Sequence, residues 1–471
     1  MNASAIAAAT VVVLLAGCAA PDIDRAVQDT NRAAPEFTGG RLQLNRTAQE
    51  RQAGADLATQ LLAQPLTMDD AVRVALASSP AVQAAIAQRW NDMAAAAQSG
   101  RIANPVFTFG RLRDAGGLEL DRLLSFGLLD LLTLPRRQAI AANVQAQART
   151  QLALDIVAQV STVRAAWVRA VGAQQRAVYA RQAKQSAGAG AELARRMQQV
   201  GNFSKLQRAR EQAFSADAAT RVAAAEQAAG AAREELLRVL GLTDAQSAAL
   251  KLPERLPDLP KEPLAPAAMT TAALAQRLDV QLARRQLEVA GQAQGLQLLG
   301  TLLDVEVGGQ HNTVFGSDGT RDTQNGYELG VRVPLFDWGG AQRAAMNAQT
   351  LAAANRYDSV VRAAASHVRQ SYGAYRTAWD IAKHYRDEVV PLRKAISDEN
   401  MLRYNGMLIG VFELLADARD QVATVSAAID AQQQFWLAHA ALASSAIGQP
   451  LVADVGVTPA PASRNAEPSV H

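Results

Sequence analysis

Asp304-Val305-Glu306-Val307-Gly308-Gly309-Gln310 alternates polar and apolar residues, and Tyr327-Glu328-Leu329-Gly330-Val331-Arg332-Val333-Pro334 alternates again after a loop rich in Gly, Asp, Ser and Thr from Gly316 to Gly326. A period of two gives a strand one apolar and one polar face. The stretch therefore predicts a β-hairpin over about 303–336, which a soluble sandwich or a membrane barrel could use equally. An earlier stretch follows the same plan: Val106-Phe107-Thr108-Phe109-Gly110-Arg111-Leu112, a turn at Asp114-Ala115-Gly116-Gly117, then the interrupted apolar run Leu118–Leu134. It predicts a first hairpin over about 105–134.

Outward from each hairpin the pattern becomes helical. A run of about 64 residues follows each one, Arg136–Gln199 and Ala341–Tyr404, and each would be roughly 95 Å long as one continuous helix. The runs end at the turns Val200-Gly201-Asn202-Phe203 and Asn405-Gly406-Met407-Leu408, and the chain returns through shorter helices, about Lys205–Leu240 and Val411–Ile447. Ahead of the first hairpin, Thr67-Met68-Asp69-Asp70 opens a helix with an N-cap Thr and first-turn acids. Ser78-Ser79-Pro80 interrupts it, and a second helix runs to about Ser99-Gly100. The return helix and the pre-hairpin segment, about 36 and 34 residues, together approach the length of the long run, so two short helices end to end match one long one.

The plan occurs twice. Ser161-Thr162-Val163-Arg164 and Ser366-His367-Val368-Arg369 lie 205 positions apart, and the same offset carries Trp167 to Tyr372 and Gly201 to Gly406. A period that long exceeds solenoid repeats. It implies duplication of a whole folding unit, here 66–250 and 267–450, with the function on a symmetric axis between the halves. Between them Pro253, Pro257, Pro260, Pro263 and Pro266 make 251–266 an extended crossover. Residues 19–65 are polar and read as an extended N-terminal tether, and 451–471 as a disordered tail.

Of 471 residues 49% are hydrophobic but only 5% aromatic, with Ala the richest contributor, which suits long, closely packed helices with thin seams. The charge of +3 is mild and no Lys/Arg block with interleaved aromatics occurs, so nucleic-acid binding has no support. Beyond the N-terminal run, charged or amide residues interrupt every apolar stretch well before about 18 residues, so a membrane crossing must use strands. His311, His367, His384, His439 and His471 show no metal-ligand spacing, and no phosphate loop or activated nucleophile is visible. No enzyme, no cofactor and no metal site is expected.

The only cysteine closes Thr10-Val11-Val12-Val13-Leu14-Leu15-Ala16-Gly17-Cys18, a signal-peptide pattern too short to span a bilayer. Leu15-Ala16-Gly17-Cys18 resembles the lipobox of bacterial lipoproteins, which implies a signal peptide over 1–18, covalent lipid on Cys18 and, with Ala19 rather than Asp following, delivery to the outer membrane. Met1–Ala9 lack the usual Lys or Arg, which points to a start further upstream.

Helix, hairpin, long helix, tip turn and shorter helix, twice over behind a lipobox, resembles the TolC-like outer-membrane factor family, the exit ducts of Gram-negative tripartite efflux and type I secretion systems. The most specific match is Val333-Pro334-Leu335-Phe336-Asp337-Trp338-Gly339-Gly340, similar to the family's strand exit into its second long helix. Leu414-Leu415-Ala416-Asp417-Ala418-Arg419 is similar to a Leu-Asp-Ala-Arg stretch beyond the second tip, with one extra residue. Arg277-Leu278-Asp279 departs from an Arg-Pro-Asp motif by lacking its proline.

The resemblance covers about 66–450 and implies a mainly α fold: a long α-helical coiled-coil barrel, plus four β-strands per chain contributing to a trimeric twelve-stranded transmembrane β-barrel. It implies a homotrimer in the outer-membrane lipid, a periplasmic adaptor (membrane fusion) protein, and an inner-membrane pump of RND or ABC type. Phe107, Phe109, Phe126, Tyr327, Phe336 and Trp338 would then lie on the barrel's lipid face or at its interfaces, or else pack in an ordinary core. Gly201, Asn202, Gly406 and Met407 at the tips would dock the adaptor, or simply turn the chain with Gly left-handed. Glu413, Asp417 and Arg419 are aperture candidates, one carboxylate per chain making a ring of three, against the plainer reading of a solvated helix face. A periplasmic coiled-coil adaptor or scaffold lipoprotein would share the long helices and lipobox but needs no amphipathic hairpins.

Overall fold

Both alternating stretches form strands, and the two hairpins pair with each other. In the computed structural model, which describes residues 22–114, 117–265, 274, 276–302, 304–316, 319–332, 336 and 338–450, β1 (Val106–Asp114), β2 (Gly117–Gly127), β3 (Asp304–Gly316) and β4 (Arg321–Arg332) make one antiparallel sheet in the order β1-β2-β3-β4. The hairpins join through β2 and β3, with Leu118 opposite Phe315 and Phe126 opposite Val307. Two expectations need correction. The supposed Gly316–Gly326 loop is mostly strand, because Asn325 and Thr323 continue the ladder opposite His311 and Thr313. Leu128–Leu134 is helical, since β2 ends at Gly127.

The N-terminal tether is also corrected. Residues 23–62 are folded as α1 (Ile23–Ala33), α2 (Pro35–Thr38) and α3 (Ala48–Leu62). Ile23, Ala26, Val27 and Thr30 bury one stripe at helical spacing, which a polar average conceals. Thr47 and Glu50 close a reciprocal capping box at the start of α3, and Asn31 makes two hydrogen bonds to the backbone of Leu42. The next helices follow expectation: Thr67 caps α4 (Met68–Ser78), Ser79 breaks it, and α5 is Pro80–Ser99. Cys18, Pro266 of the crossover and the tail from 451 lie outside the described residues.

The first long run is a single helix, α6 (Leu128–Gln199), 72 residues with Pro135 inside it. The second is not. It comprises α10 (Gly340–His384), a π-helical turn Tyr385–Val389, and α11 (Val390–Asn405), with Pro391 two residues past the turn. A proline ring crowds the carbonyl four residues back and removes one N–H, so local widening of the helix accommodates it. The remaining helices are α7 (Lys205–Leu240), α8 (Asp244–Ala249), α9 (Leu278–Leu302) and α12 (Val411–Ile447); α7 and α12 have the bounds expected from sequence.

Chain contacts define two compact units, each drawing on both halves of the sequence: one of residues up to Asp29, Ile86–Ala153 and Leu278–Ala363, the other of Thr30–Ala85, Leu154–Arg277 and Ala364 onward. In the first unit, which holds the sheet, Arg137 of α6 pairs with Asp130 at 2.6 Å and donates to the carbonyls of Ser99 and Arg101. It thus satisfies acceptors left open at the end of α5. Gly100 permits this approach, since a Cβ there would meet the Ala141 methyl at 2.8 Å.

In the second unit, Tyr375, Trp379 and Phe435 pack with Leu259 and Leu442, joining α10, α12 and the proline-rich crossover. The described part of the crossover is neither helix nor strand, with bends at 254–255 and 261–262, and its carbonyls are met by side chains: Trp379 Nε1 donates to Pro260 at 3.3 Å, and Trp436 Nε1 to Pro257 at 3.0 Å. The aromatic rings supply buried area and their N–H groups supply donors that a proline-rich backbone lacks.

His439 sits in this cluster, its ring 5.9 Å from Tyr375 and 5.5 Å from Trp436. Burial, and then the Arg164 charge, pull its pKa below the usual histidine value. The unfolded chain therefore binds this proton more readily, so stability should fall as pH drops below about 6.5. His439→Phe should flatten that part of the profile, as read by urea midpoints on the acid side of neutrality.

Candidate functional site

Each long run ends in a tight reversal built by backbone hydrogen bonds. At the first tip Asn202 N donates to Met197 O at 2.8 Å around Gly201, whose φ is 84°. At the second Leu408 N donates to Arg403 O at 2.8 Å around Met407, whose φ is 58°. Both are helix C-terminal motifs with one left-handed residue. The equivalence of Gly201 with Gly406 is thereby corrected: Gly406 has φ −79°, and the left-handed position falls on Met407, an offset of 206. Among the described residues Met407 is the only non-glycine with positive φ. Its side chain is 93% exposed, beside exposed Leu408, while Val200 is exposed at the first tip. Asn202 is exposed as well. Met407→Gly should raise stability by about 1 kcal/mol by relieving the left-handed strain, measurable as a higher denaturant midpoint.

Beyond the tips the corrected offset pairs two acids. Ser204 caps α7 and Gly410 begins α12, so Glu211 on α7 corresponds to Asp417 on α12. Both are buried. Asp417 Oδ1 lies 3.9 Å from Arg393 of α11, which also reaches Asp420 at 3.4 Å. Asp417 Oδ2 is buried without a hydrogen bond. Glu211, only 1% exposed, is paired with Arg419, whose guanidinium also lies 5.1 Å over the Phe214 ring. Gly190 of α6 opens this seam: a Cβ there would stand 3.0 Å from Leu415 and 3.8 Å from Glu211.

Of the three aperture candidates, Arg419 and Asp417 are thus committed to ion pairs within the chain, whereas Glu413, in the first turn of α12, is exposed. Glu211 was not among the sequence candidates, since nothing in its local pattern marks it as buried; the tip offset of 206 is the signal that sets it against Asp417.

The aromatic candidates are all exposed within the chain. Phe107 and Phe109 on β1, Phe126 on β2 and Tyr327 on β4 share one face of the sheet by register. Phe336 and Trp338 follow β4 and are exposed as well; Val333, Pro334, Leu335 and Asp337 of their motif lie outside the described residues. That sheet face is apolar near the helices, where Leu124, Val307, Leu329 and Val331 join the aromatics, while the opposite face carries Glu119, Asp121, Glu306 and Glu328.

Solved structures share this architecture. VceC, an outer membrane protein from Vibrio cholerae, is 15% identical, matching 81% of this chain and 96% of its own, with a TM-score of 0.66. The CmeC outer membrane channel of Campylobacter jejuni is 13% identical over 84% of this chain and 86% of its own, TM-score 0.65. The MtrE outer membrane channel of Neisseria gonorrhoeae, in its open state, is 16% identical over 85% and 89%, TM-score 0.62. The fold is that of these outer-membrane channels. It is the TolC-like fold, mostly helical with one small four-stranded antiparallel sheet. No protein-family model and no curated protein sequence matches the chain. Among the described residues, no group of three or more His, Cys, Asp or Glu is placed to hold a metal ion, and no helix is long and apolar enough to cross a membrane.

Proposed function

We propose that the chain is the outer-membrane exit duct of a tripartite efflux or type I secretion system, passively conducting what an inner-membrane pump and a periplasmic adaptor deliver. The sheet carries this reading. One face is apolar in the rows nearest the helices, and the outer strands β1 and β4 have no further neighbour in the chain among the described residues. In lipid each unpaired backbone group costs several kcal/mol, and three such sheets edge to edge close a twelve-stranded barrel. Duplication fits the repeated element order and a repeated contact: Trp167 Nε1 donates to the Leu66 carbonyl, and Tyr372 OH to that of Leu264. Lipid on Cys18 would anchor the chain, and the exposed tip residues would meet the adaptor.

The protein should fractionate with the outer membrane and run as a trimer in SDS until heated. Recovery of a Cys18→Ser variant as a soluble monomer would sink the duct reading. Glu413 is the aperture residue of this account, since it alone of the two acids is exposed. Glu413→Lys should lower cation preference several-fold in planar bilayers by replacing a ring of three carboxylates; unchanged selectivity and conductance would remove Glu413 from the aperture.

A further inference from the structure

The two sheet faces differ in charge as sharply as in polarity. Side chains alternate along a strand, and the register sets Arg111 opposite Leu120, Arg113 opposite Leu118, Arg122 opposite Phe109 and Arg321 opposite Phe315. All four arginines therefore project from the face that bears the exposed aromatics. Contacts agree: Arg122 Nη1 donates to Thr313 Oγ1 at 3.4 Å, and the Arg321 guanidinium lies 5.8 Å from the Phe315 ring. Among the residues whose side chains are described, no Asp or Glu falls on this face; those of the sheet are on the other.

Position along the strands is equally ordered. The rows nearest the helices hold Val305 with Val331, then Phe126, Val307 and Leu329. Arg113 and Arg321 occupy the row beside the two hairpin turns, Arg111 the next, and Arg122 lies mid-strand in the row of Phe109 and Asn325. None of the four has an ion-pair partner among the described residues, and Arg111, Arg113 and Arg321 are exposed.

We propose that this basic band binds the phosphates of a phosphorylated glycolipid whose acyl chains cover the apolar rows beside it. The proposal rests on the membrane-spanning reading. Arginine on a lipid-facing strand is costly at mid-bilayer and nearly neutral at the interface, so Arg111, Arg113 and Arg321 set the band at headgroup level, while Arg122, nearer the helices, is held within the sheet by Thr313. A guanidinium matches phosphate through paired N–H donors. Arg111 and Arg113, two residues apart on β1, stand roughly 7 Å from each other along the strand, which suits a headgroup bearing more than one phosphate. β1 and β4 are the two edges, so in a closed trimer Arg321 of one chain would stand beside Arg111 and Arg113 of the next, giving three composite sites.

The test reconstitutes the full purified chain into phosphatidylcholine vesicles containing lipid A or enzymatically dephosphorylated lipid A, and measures lipid retained by the protein by native mass spectrometry. Lipid A should be enriched about tenfold over phosphatidylcholine, and Arg111→Gln should reduce that about fivefold. The combined Arg111→Gln, Arg113→Gln, Arg122→Gln and Arg321→Gln variant should show no preference, while Glu119→Gln with Glu328→Gln on the other face should leave it intact. Equal retention of the dephosphorylated lipid, or undiminished preference in the combined variant, overturns the phosphate site alone. If the combined variant fails to insert, the dephosphorylated-lipid comparison on the unaltered chain decides. Failure of the unaltered chain to resist carbonate extraction from any vesicle overturns the membrane reading and this site with it.

Discussion

Arg419→Met is expected to cost about 3–5 kcal/mol of folding stability, because it leaves the Glu211 carboxylate buried without its cation. The Glu211 side chain is 2% exposed and that of Arg419 27%, so this pair lies well inside the range where removing one partner hurts. An exposed pair such as Lys394–Asp398, on one face of α11, is worth only tenths of a kcal/mol. The distinguishing variant is Glu211→Gln combined with Arg419→Met, which removes both charges and should recover much of the loss. Urea unfolding followed by helical circular dichroism measures all three proteins. A loss under about 1 kcal/mol for Arg419→Met would mean that solvent reaches Glu211 readily.

Arg277→Met is expected to cost about 3 kcal/mol. Arg277 is 1% exposed, and its Nη1 donates to the carbonyls of Ser445 at 2.8 Å and Ala364 at 3.2 Å, tying the entry to α9 to the end of α12 and to α10. Methionine fills most of the volume but donates nothing, leaving both carbonyls without this donor, and Arg277→Lys should restore only part because an ammonium lacks the planar fork. A lowered urea midpoint at unchanged slope is the expected signature. An effect below about 1 kcal/mol would show that water replaces the guanidinium. The proline missing after Arg277 matters less, since Leu278 begins α9 in its place.

Much of this architecture is legible in the residues. Period-two alternation located the strands, and the Ser204 and Thr67 caps fixed the starts of α7 and α4. Three features were hidden for distinct reasons. Residues 23–62 are polar on average, yet their few apolar side chains recur at helical spacing and are buried. Thr323 and Asn325 read as loop by their polarity, yet they continue the ladder in the rows of Arg111 and Arg122, where the aromatic-bearing face stops being apolar. Pro391 sits inside a long helical run, and only the local backbone could absorb it as a π turn.

The site was less legible than the fold. Candidate acids were found by their position beyond a tip, but burial separates them: Asp417 faces Arg393 while Glu413 faces solvent. The left-handed conformation falls on Met407 and not on Gly406, and only with that one-residue shift does Glu211 align with Asp417. Backbone hydrogen bonding at the turn, and not glycine content, sets the equivalence.

Closure of the sheet between chains is the claim on which the duct depends. Cysteines introduced at Thr108 on β1 and, one at a time, from Gln324 to Glu328 on β4 should oxidise in intact outer membranes to give covalent dimers and trimers at the matching register. Trimers as the largest product are the expected result. Monomers at every position, or a ladder extending beyond trimers, would contradict a closed three-chain barrel.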